Sequence, residues 1–173
     1  RIERLAYTDN LTNLGNRPAF IRSLDECFAR DVQNPMCLLL VDIDNFKRIN
    51  DSLGHHTGDK LLISLARRLR NSLHAGGILA RFASNEFAVL LDDTSLEAGQ
   101  GVAQQLLRTL DKPMFVDNQL INVTASVGLA SAPQHGADPT SLMKNAGLAL
   151  HKAKANGKHQ VQVFTEEIGR AHV

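Results

Sequence analysis

The chain has 173 residues, enough for one domain with a proper core, and a formal net charge of +1, which points to neither a nucleic-acid surface nor a binder of anionic membranes. Trp is absent and aromatics make up 5% of residues, so the core must be mostly Leu, Ile, Val and Ala. No apolar run reaches the ~18 residues of a membrane span and no signal peptide opens the chain, so a soluble, cytoplasmic domain is expected.

In chain order, residues 17–30 read as a helix with Phe20, Ile21, Leu24 and Phe28 on one face. Residues 36–41 are a continuous apolar run, as in a strand buried on both faces. A short helical piece follows near 45–52, and 59–72 places Leu61, Leu62, Leu65, Ala66 and Leu69 on one stripe. Residues 78–82 and 87–91 read as two strands that pair antiparallel around a turn at 84–85. A helix is expected over 96–110, a strand over 122–130, and a long helix over 139–156 that Gly157 ends as its C′ residue. A short strand at 161–164 closes the pattern. The order is that of an α/β (α+β) domain with helices covering a sheet. Cys27 and Cys37 form no CxxC pair and sit in apolar contexts, as buried free thiols do in a reducing compartment.

Side chains that can do chemistry begin at the end of the first strand. Asp42 and Asp44 are two residues apart, a spacing that turns both carboxylates the same way. An acid delivered beside a helix start, here Phe46 and Lys47, is a common arrangement for holding Mg²⁺ and phosphate. The plainer alternative is that Asp44 caps the next helix and Asp42 is a solvated strand end. His55 and His56 are adjacent, so their side chains diverge, and no third ligand is spaced for zinc.

The segment Asp42-Ile43-Asp44-Asn45-Phe46-Lys47-Arg48-Ile49-Asn50-Asp51-Ser52-Leu53-Gly54-His55-His56-Thr57-Gly58-Asp59 closely resembles the DxDxFKxxND-x-xGHxxGD segment of the GGDEF family of diguanylate cyclases. Thr8-Asp9-Asn10-Leu11-Thr12-Asn13-Leu14-Gly15-Asn16-Arg17 resembles that family's DxLTGLxNR opening, with Asn13 for a usual Gly, a change Asn tolerates because it enters φ > 0. Ala149-Leu150-His151-Lys152-Ala153-Lys154-Ala155-Asn156-Gly157-Lys158 resembles ALYxAKxxGR. The resemblance covers nearly the whole chain. It implies a central, mostly antiparallel sheet in a palm-like nucleotidyl cyclase fold, and a reaction in which two facing domains each hold one GTP and join them into cyclic di-GMP. Asp42, the Ile43 carbonyl and Glu86 would then hold Mg²⁺ or Mn²⁺, Phe46 and Lys47 would contact the nucleotide, and Asn50 and Asp59 would read the guanine edge. An amide and a carboxylate can together satisfy guanine's acceptors and donors. Asp59 stands where a helix N-cap is also expected. Lys154 and Lys158 would meet phosphates, although pattern alone makes them cations complementing a helix C-terminus. Lys158 in place of Arg gives up bidentate geometry.

The departures fall on the signature turn. Arg81-Phe82-Ala83-Ser84-Asn85-Glu86-Phe87 keeps only the last two residues of Gly-Gly-Asp/Glu-Glu-Phe. Ala83 and Ser84 put side chains where glycines let backbone N–H groups approach phosphate, and each disfavours φ > 0. Asn85 is neutral where a carboxylate is expected, which weakens a hard Mg²⁺ site. At about 2–3 kcal/mol of transition-state stabilisation for each lost feature, the combined penalty exceeds roughly a thousandfold in rate. The product-inhibition motif RxxD would fall on His74-Ala75-Gly76-Gly77, which lacks both charged residues. Residues 1–7 resemble the end of a helical linker from an upstream sensor domain. Residues 165–173 resemble the connector into an EAL cyclic di-GMP phosphodiesterase domain, leaving 8–164 as the GGDEF-like domain. The expectation is a degenerate domain that binds GTP and regulates a neighbour with little or no turnover. A low-activity cyclase, or an interaction and dimerisation module without nucleotide, are the alternatives.

Overall fold

The computed structural model describes residues 6–30, 34–74 and 76–171. Helix α1 (Arg17–Ala29) starts at Asn16, whose side-chain oxygen accepts from Ala19 N at 3.1 Å. Strand β1 (Met36–Ile43), helices α2 (Phe46–Leu53) and α3 (His55–Ser72), and the hairpin β2 (Gly77–Ala83) and β3 (Glu86–Leu91) follow. Then come α4 (Leu96–Asp111), a small hairpin β4 (Met114–Val116) and β5 (Gln119–Ile121), β6 (Ala125–Ala132), α5 (Pro139–Ala155), β7 (Val161–Val163) and α6 (Glu166–Ala171).

The main sheet runs β2-β3-β1-β6-β7, antiparallel throughout except for β6 with β7. This is the mostly antiparallel, helix-covered sheet expected. Every residue of β1 is buried, because both faces are covered. Cys37, Leu39, Val41 and Ile43 enter the core beneath α3 and α4, while Leu38 and Leu40 enter the one beneath α1 and α5. Asp42 is the next position on the α1/α5 face, so the alternation that buries Leu38 and Leu40 aims an acid toward those two helices. Gly128 brings α5 close: a Cβ there would run into the backbone at Ala146 and Leu150.

Two element starts differ from those expected. Helix α3 begins at His55 rather than 59, because Gly54 at φ 91° closes α2 and opens α3 without a loop between them. Asp59 is therefore inside the helix and is not its N-cap. The strand expected at 122–130 starts at Ala125, and part of the chain before it forms the β4–β5 hairpin across Asp117 and Asn118, both at positive φ. Helix α5 ends as expected: Gly157 has φ 111° and Lys158 N donates to Ala153 O at 3.0 Å. Asn13 adopts φ 61°, the conformation its motif position requires. Cys27 and Cys37 are free and buried. Among the described residues no helix is long and apolar enough to cross a membrane. Ala6 and Tyr7 are helical; the rest of the expected upstream linker, residues 1–5, lies outside the described residues, as do Ala75 and 172–173.

Candidate functional site

Asp42 and Glu86 are directly opposed in the β1–β3 ladder, and Asp42 is only 6% exposed. The next residue back in the hairpin, Asn85, closes over the end of β1. Its Nδ2 donates to Asp42 Oδ1 at 2.7 Å and to the Ile43 carbonyl at 3.1 Å, and the main-chain carbonyl of Asn85 accepts from Ile43 N at 3.0 Å. Both oxygens facing the amide are acceptors only, so its NH₂ must be the group between them. Lys154 on α5 donates to the other Asp42 oxygen at 2.7 Å. Burial pushes the Glu86 carboxyl above its ordinary range and the charge of Asp42 pushes it further, against the pull of Arg17 and Lys154.

The turn itself is held from outside the motif. Neither Ala83 nor Ser84 adopts a positive φ, so the backbone strain expected at those positions is absent. A β-bulge between Arg81 and Ala83 reshapes the strand instead, and the departure from glycine consists of two added Cβ atoms and the Ser84 hydroxyl, which donates to Asn85 Oδ1 at 3.3 Å. Arg81 donates to both Asp9 oxygens at 3.0 and 3.2 Å and to the Ser84 carbonyl at 3.1 Å. Asp9 also accepts from Thr12 N and Thr12 Oγ1. Burial opposes ionisation of Asp9, but the Thr12 hydrogen bonds and the Arg81 guanidinium outweigh it and hold the carboxyl below its usual value. Arg17 lies over the Phe82 ring at 4.8 Å from the centroid. Neither Asp9 nor Arg17, both within the opening motif, is among the site residues expected from the sequence.

Asp44 does not share the hydrogen-bond partners of Asp42 and does not cap α2. It is buried, and it accepts from Thr124 Oγ1 at 2.6 Å, Ser126 Oγ at 2.7 Å and His159 N at 3.2 Å. Asp44 lies just beyond the end of β1 and has hydrogen-bond partners of its own, one of which, Ser126, is the residue opposite Asp42 in the β1–β6 ladder. At the start of α2, Asn45 sits at φ 58° with no side-chain cap, so the first N–H groups of Phe46 and Lys47 have no capping side chain. Phe46 is buried and Lys47 exposed. Asn45 Oδ1 instead accepts from Lys158 Nζ at 2.9 Å. Lys154 and Lys158 thus reach the end of β1 and the start of α2, rather than the C-terminal carbonyls of α5. Further along α2, the Asn50 side chain lies against Gly58, one residue before Asp59, and its Oδ1 is buried without a hydrogen-bond partner among the described residues. Asp59 is exposed.

The expected Mg²⁺ ligands can be tested against this arrangement. Asp42 Oδ1 and the Ile43 carbonyl do converge, but on an amide nitrogen, and the second Asp42 oxygen already faces an ammonium. A hard dication needs oxygen lone pairs, and here a donor lies between two of them. As folded, these residues do not fit a resident Mg²⁺.

A buried strand end carrying acids, an uncapped helix start and two lysines thus meet at one end of β1. The family model described as "Diguanylate cyclase, GGDEF domain" matches residues 6–160, and the chain belongs to that family. It is 39% identical to the cyclic di-GMP phosphodiesterase NbdA of Pseudomonas aeruginosa over 96% of this chain and 22% of NbdA. It is 35% identical to the cyclic di-GMP phosphodiesterase PdeR of Escherichia coli over 98% of this chain and 26% of PdeR. The response regulator PleD of Caulobacter vibrioides is also 35% identical, over 91% of this chain and 36% of PleD. The chain therefore spans between about a fifth and about a third of these curated relatives. Among solved structures, the GGDEF domain of TpbB (YfiN) from Pseudomonas aeruginosa superposes with a TM-score of 0.92 at 29% identity, covering 96% of this chain and 99% of that one. The coiled coil and GGDEF domain of DgcB from Caulobacter crescentus, in complex with c-di-GMP, gives 0.86 at 28% identity, over 94% and 87%. The chain is a GGDEF domain of cyclic di-GMP signalling.

Proposed function

We propose that this GGDEF domain binds GTP, turns it over little or not at all, and regulates a covalently linked neighbour through a ligand-dependent shift in population. The observation that carries the reading is Asn85: a neutral amide takes the position of an acid and hydrogen-bonds the strand end where phosphate chemistry would need charge. Ala83 and Ser84 add side chains at the same turn. Retained binding is supported by Asn50 with its orphaned buried oxygen against Gly58, one residue before Asp59, by the uncapped start of α2 at Phe46 and Lys47, and by Lys154 and Lys158 reaching the end of β1 and the start of α2. Any Mg²⁺ or Mn²⁺ would arrive with the triphosphate. The protein's own part is to hold the base and phosphates, and the opposed Asp42 and Glu86 would place their charge near the reacting end.

The neighbour fits a phosphodiesterase. NbdA and PdeR carry that activity in their names, and most of their length lies beyond the part this chain matches. An upstream sensor and a downstream EAL domain, joined through residues 1–7 and 165–173, are the proposed context, in the cytoplasm. Homodimer formation would be needed only if two GTP-loaded sites had to meet. A weak cyclase is favoured by one observation, the retained opposition of Asp42 and Glu86. Calorimetric titration with GTP tests the binding half of the proposal. Heat saturating at or below millimolar GTP is the expected result. No heat up to millimolar concentrations leaves an interaction module without nucleotide.

A further inference from the structure

We propose that the Asn85 amide and the Lys154 ammonium replace the divalent cation at the end of β1, making this site independent of metal. Asp42 has two oxygens and both are engaged, one by Asn85 Nδ2 at 2.7 Å and the other by Lys154 Nζ at 2.7 Å. The same amide reaches the Ile43 carbonyl at 3.1 Å, so a single NH₂ group bridges the oxygens that would otherwise share an ion. A bridging donor is what two converging acceptors need when no cation lies between them.

Charge leads to the same conclusion. The carboxylates of Asp42 and Glu86 are balanced by Lys154 and by Arg17, whose charge reaches Glu86. An arriving dication would have to displace the amide, break both of its hydrogen bonds, and sit beside the ammonium on the same carboxylate. Rotating Asn85 to offer its oxygen does not restore the balance, because the site stays one negative charge short of an aspartate. It would also give up the contact in which Ser84 Oγ donates to Asn85 Oδ1 at 3.3 Å. Asn85 is thus a substitute for the ion as well as a lost ligand, and one substitution should convert the site back.

The first test needs no nucleotide. The protein is titrated with Mn²⁺ and bound ion is read by electron paramagnetic resonance, for the unaltered chain, Asn85→Asp and Asn85→Ala. The unaltered chain should bind no Mn²⁺ up to millimolar concentrations. Asn85→Asp should bind at least about tenfold more tightly than the unaltered chain. Asn85→Ala, which only frees Asp42 Oδ1 and the Ile43 carbonyl, should gain a smaller amount, and it keeps the test decisive if Asn85→Asp fails to fold. Mn²⁺ binding by the unaltered chain that Asp42→Asn abolishes would overturn the proposal, as would no gain in either Asn85 variant.

The consequence for nucleotide rests on the function proposed above. Fluorescently labelled GTP should bind with an affinity changed less than about twofold by replacing Mg²⁺ with a chelator, and a tenfold weakening in chelator would contradict it. Failure to bind GTP in either condition removes the proposed function and leaves the Mn²⁺ result to decide the metal question.

Discussion

Arg81 and Asp9 are 72 positions apart in sequence and meet in a guanidinium–carboxylate pair at 3.0 and 3.2 Å, both side chains largely buried. Through its second nitrogen Arg81 also holds the Ser84 carbonyl, so the opening segment of the domain is tied to the tip of the signature hairpin. Removing one partner of such a pair strands the other charge. Arg81→Met and Asp9→Asn should each lower unfolding free energy by about 2–4 kcal/mol, read by urea denaturation. Because Asp9 titrates below its usual value, its contribution is fully present above the ordinary carboxylate range and is lost as pH falls through the depressed value. Asp9→Asn should therefore remove part of the chain's acid sensitivity. An unchanged acid-unfolding curve would count against the pair.

Asp44 carries a second long-range tie, between the end of β1, the start of β6 and the segment that presents Lys158. Asp44→Ala leaves two hydroxyls and one backbone amide without their acceptor. A loss of about 2–4 kcal/mol is expected in denaturant unfolding, with faster amide hydrogen exchange at His159. Asp44→Asn, which can still accept, should cost less.

How much of this was legible in the sequence follows from the range of each interaction. The strands and helices were readable because alternation and helical stripes are local, and β1 is apolar on both faces. The motif resemblance placed Asp42, Asn50, Glu86 and Lys154 near one another in expectation, and the fold does join Asp42 to Glu86 and Lys154. What the sequence hid was partner choice. Spacing put Asp42 and Asp44 on one side but could not say that they take different hydrogen-bond partners. Nothing local says that Arg81 answers to Asp9, or that Asn85 spends its donors on Asp42. The apolar stripe of α3 begins only at Leu61, so the expected start at 59 fell four residues late; Gly54 has positive φ and Gly58 does not. The β4–β5 hairpin was missed because its strands are too short to show alternation.

Gly58 offers a way to separate binding from stability. A Cβ there would land on Asn50 Oδ1, a side-chain end that can move aside. Ala is favoured over Gly in a helix by about 1 kcal/mol, so Gly58→Ala should leave stability level or slightly raised. The displaced Asn50 should weaken GTP binding at least about tenfold by calorimetry. Unaltered affinity would remove Asn50 from the nucleotide site.

Glu86 gives a pH signature of opposite sign to Asp9. Its folded value lies above the ordinary 4.5, first through burial and then through Asp42. The native state binds the proton more readily, so stability falls as pH rises from the ordinary value through the raised one. Glu86→Gln should flatten the melting temperature across that window and be no less stable than the parent at neutral pH. A marked loss at neutral pH would mean that the ionised carboxylate is favourable where it sits.

The central claim, nucleotide kept and turnover lost, is tested most directly by product formation. Concentrated protein is incubated with GTP and Mg²⁺ or Mn²⁺ and the nucleotides are separated by chromatography. GTP should be recovered unchanged from the unaltered chain. Cyclic di-GMP should appear when Ala83→Gly, Ser84→Gly and Asn85→Asp are combined. Conversion of GTP to cyclic di-GMP by the unaltered chain at a rate within about tenfold of the restored variant would contradict the account.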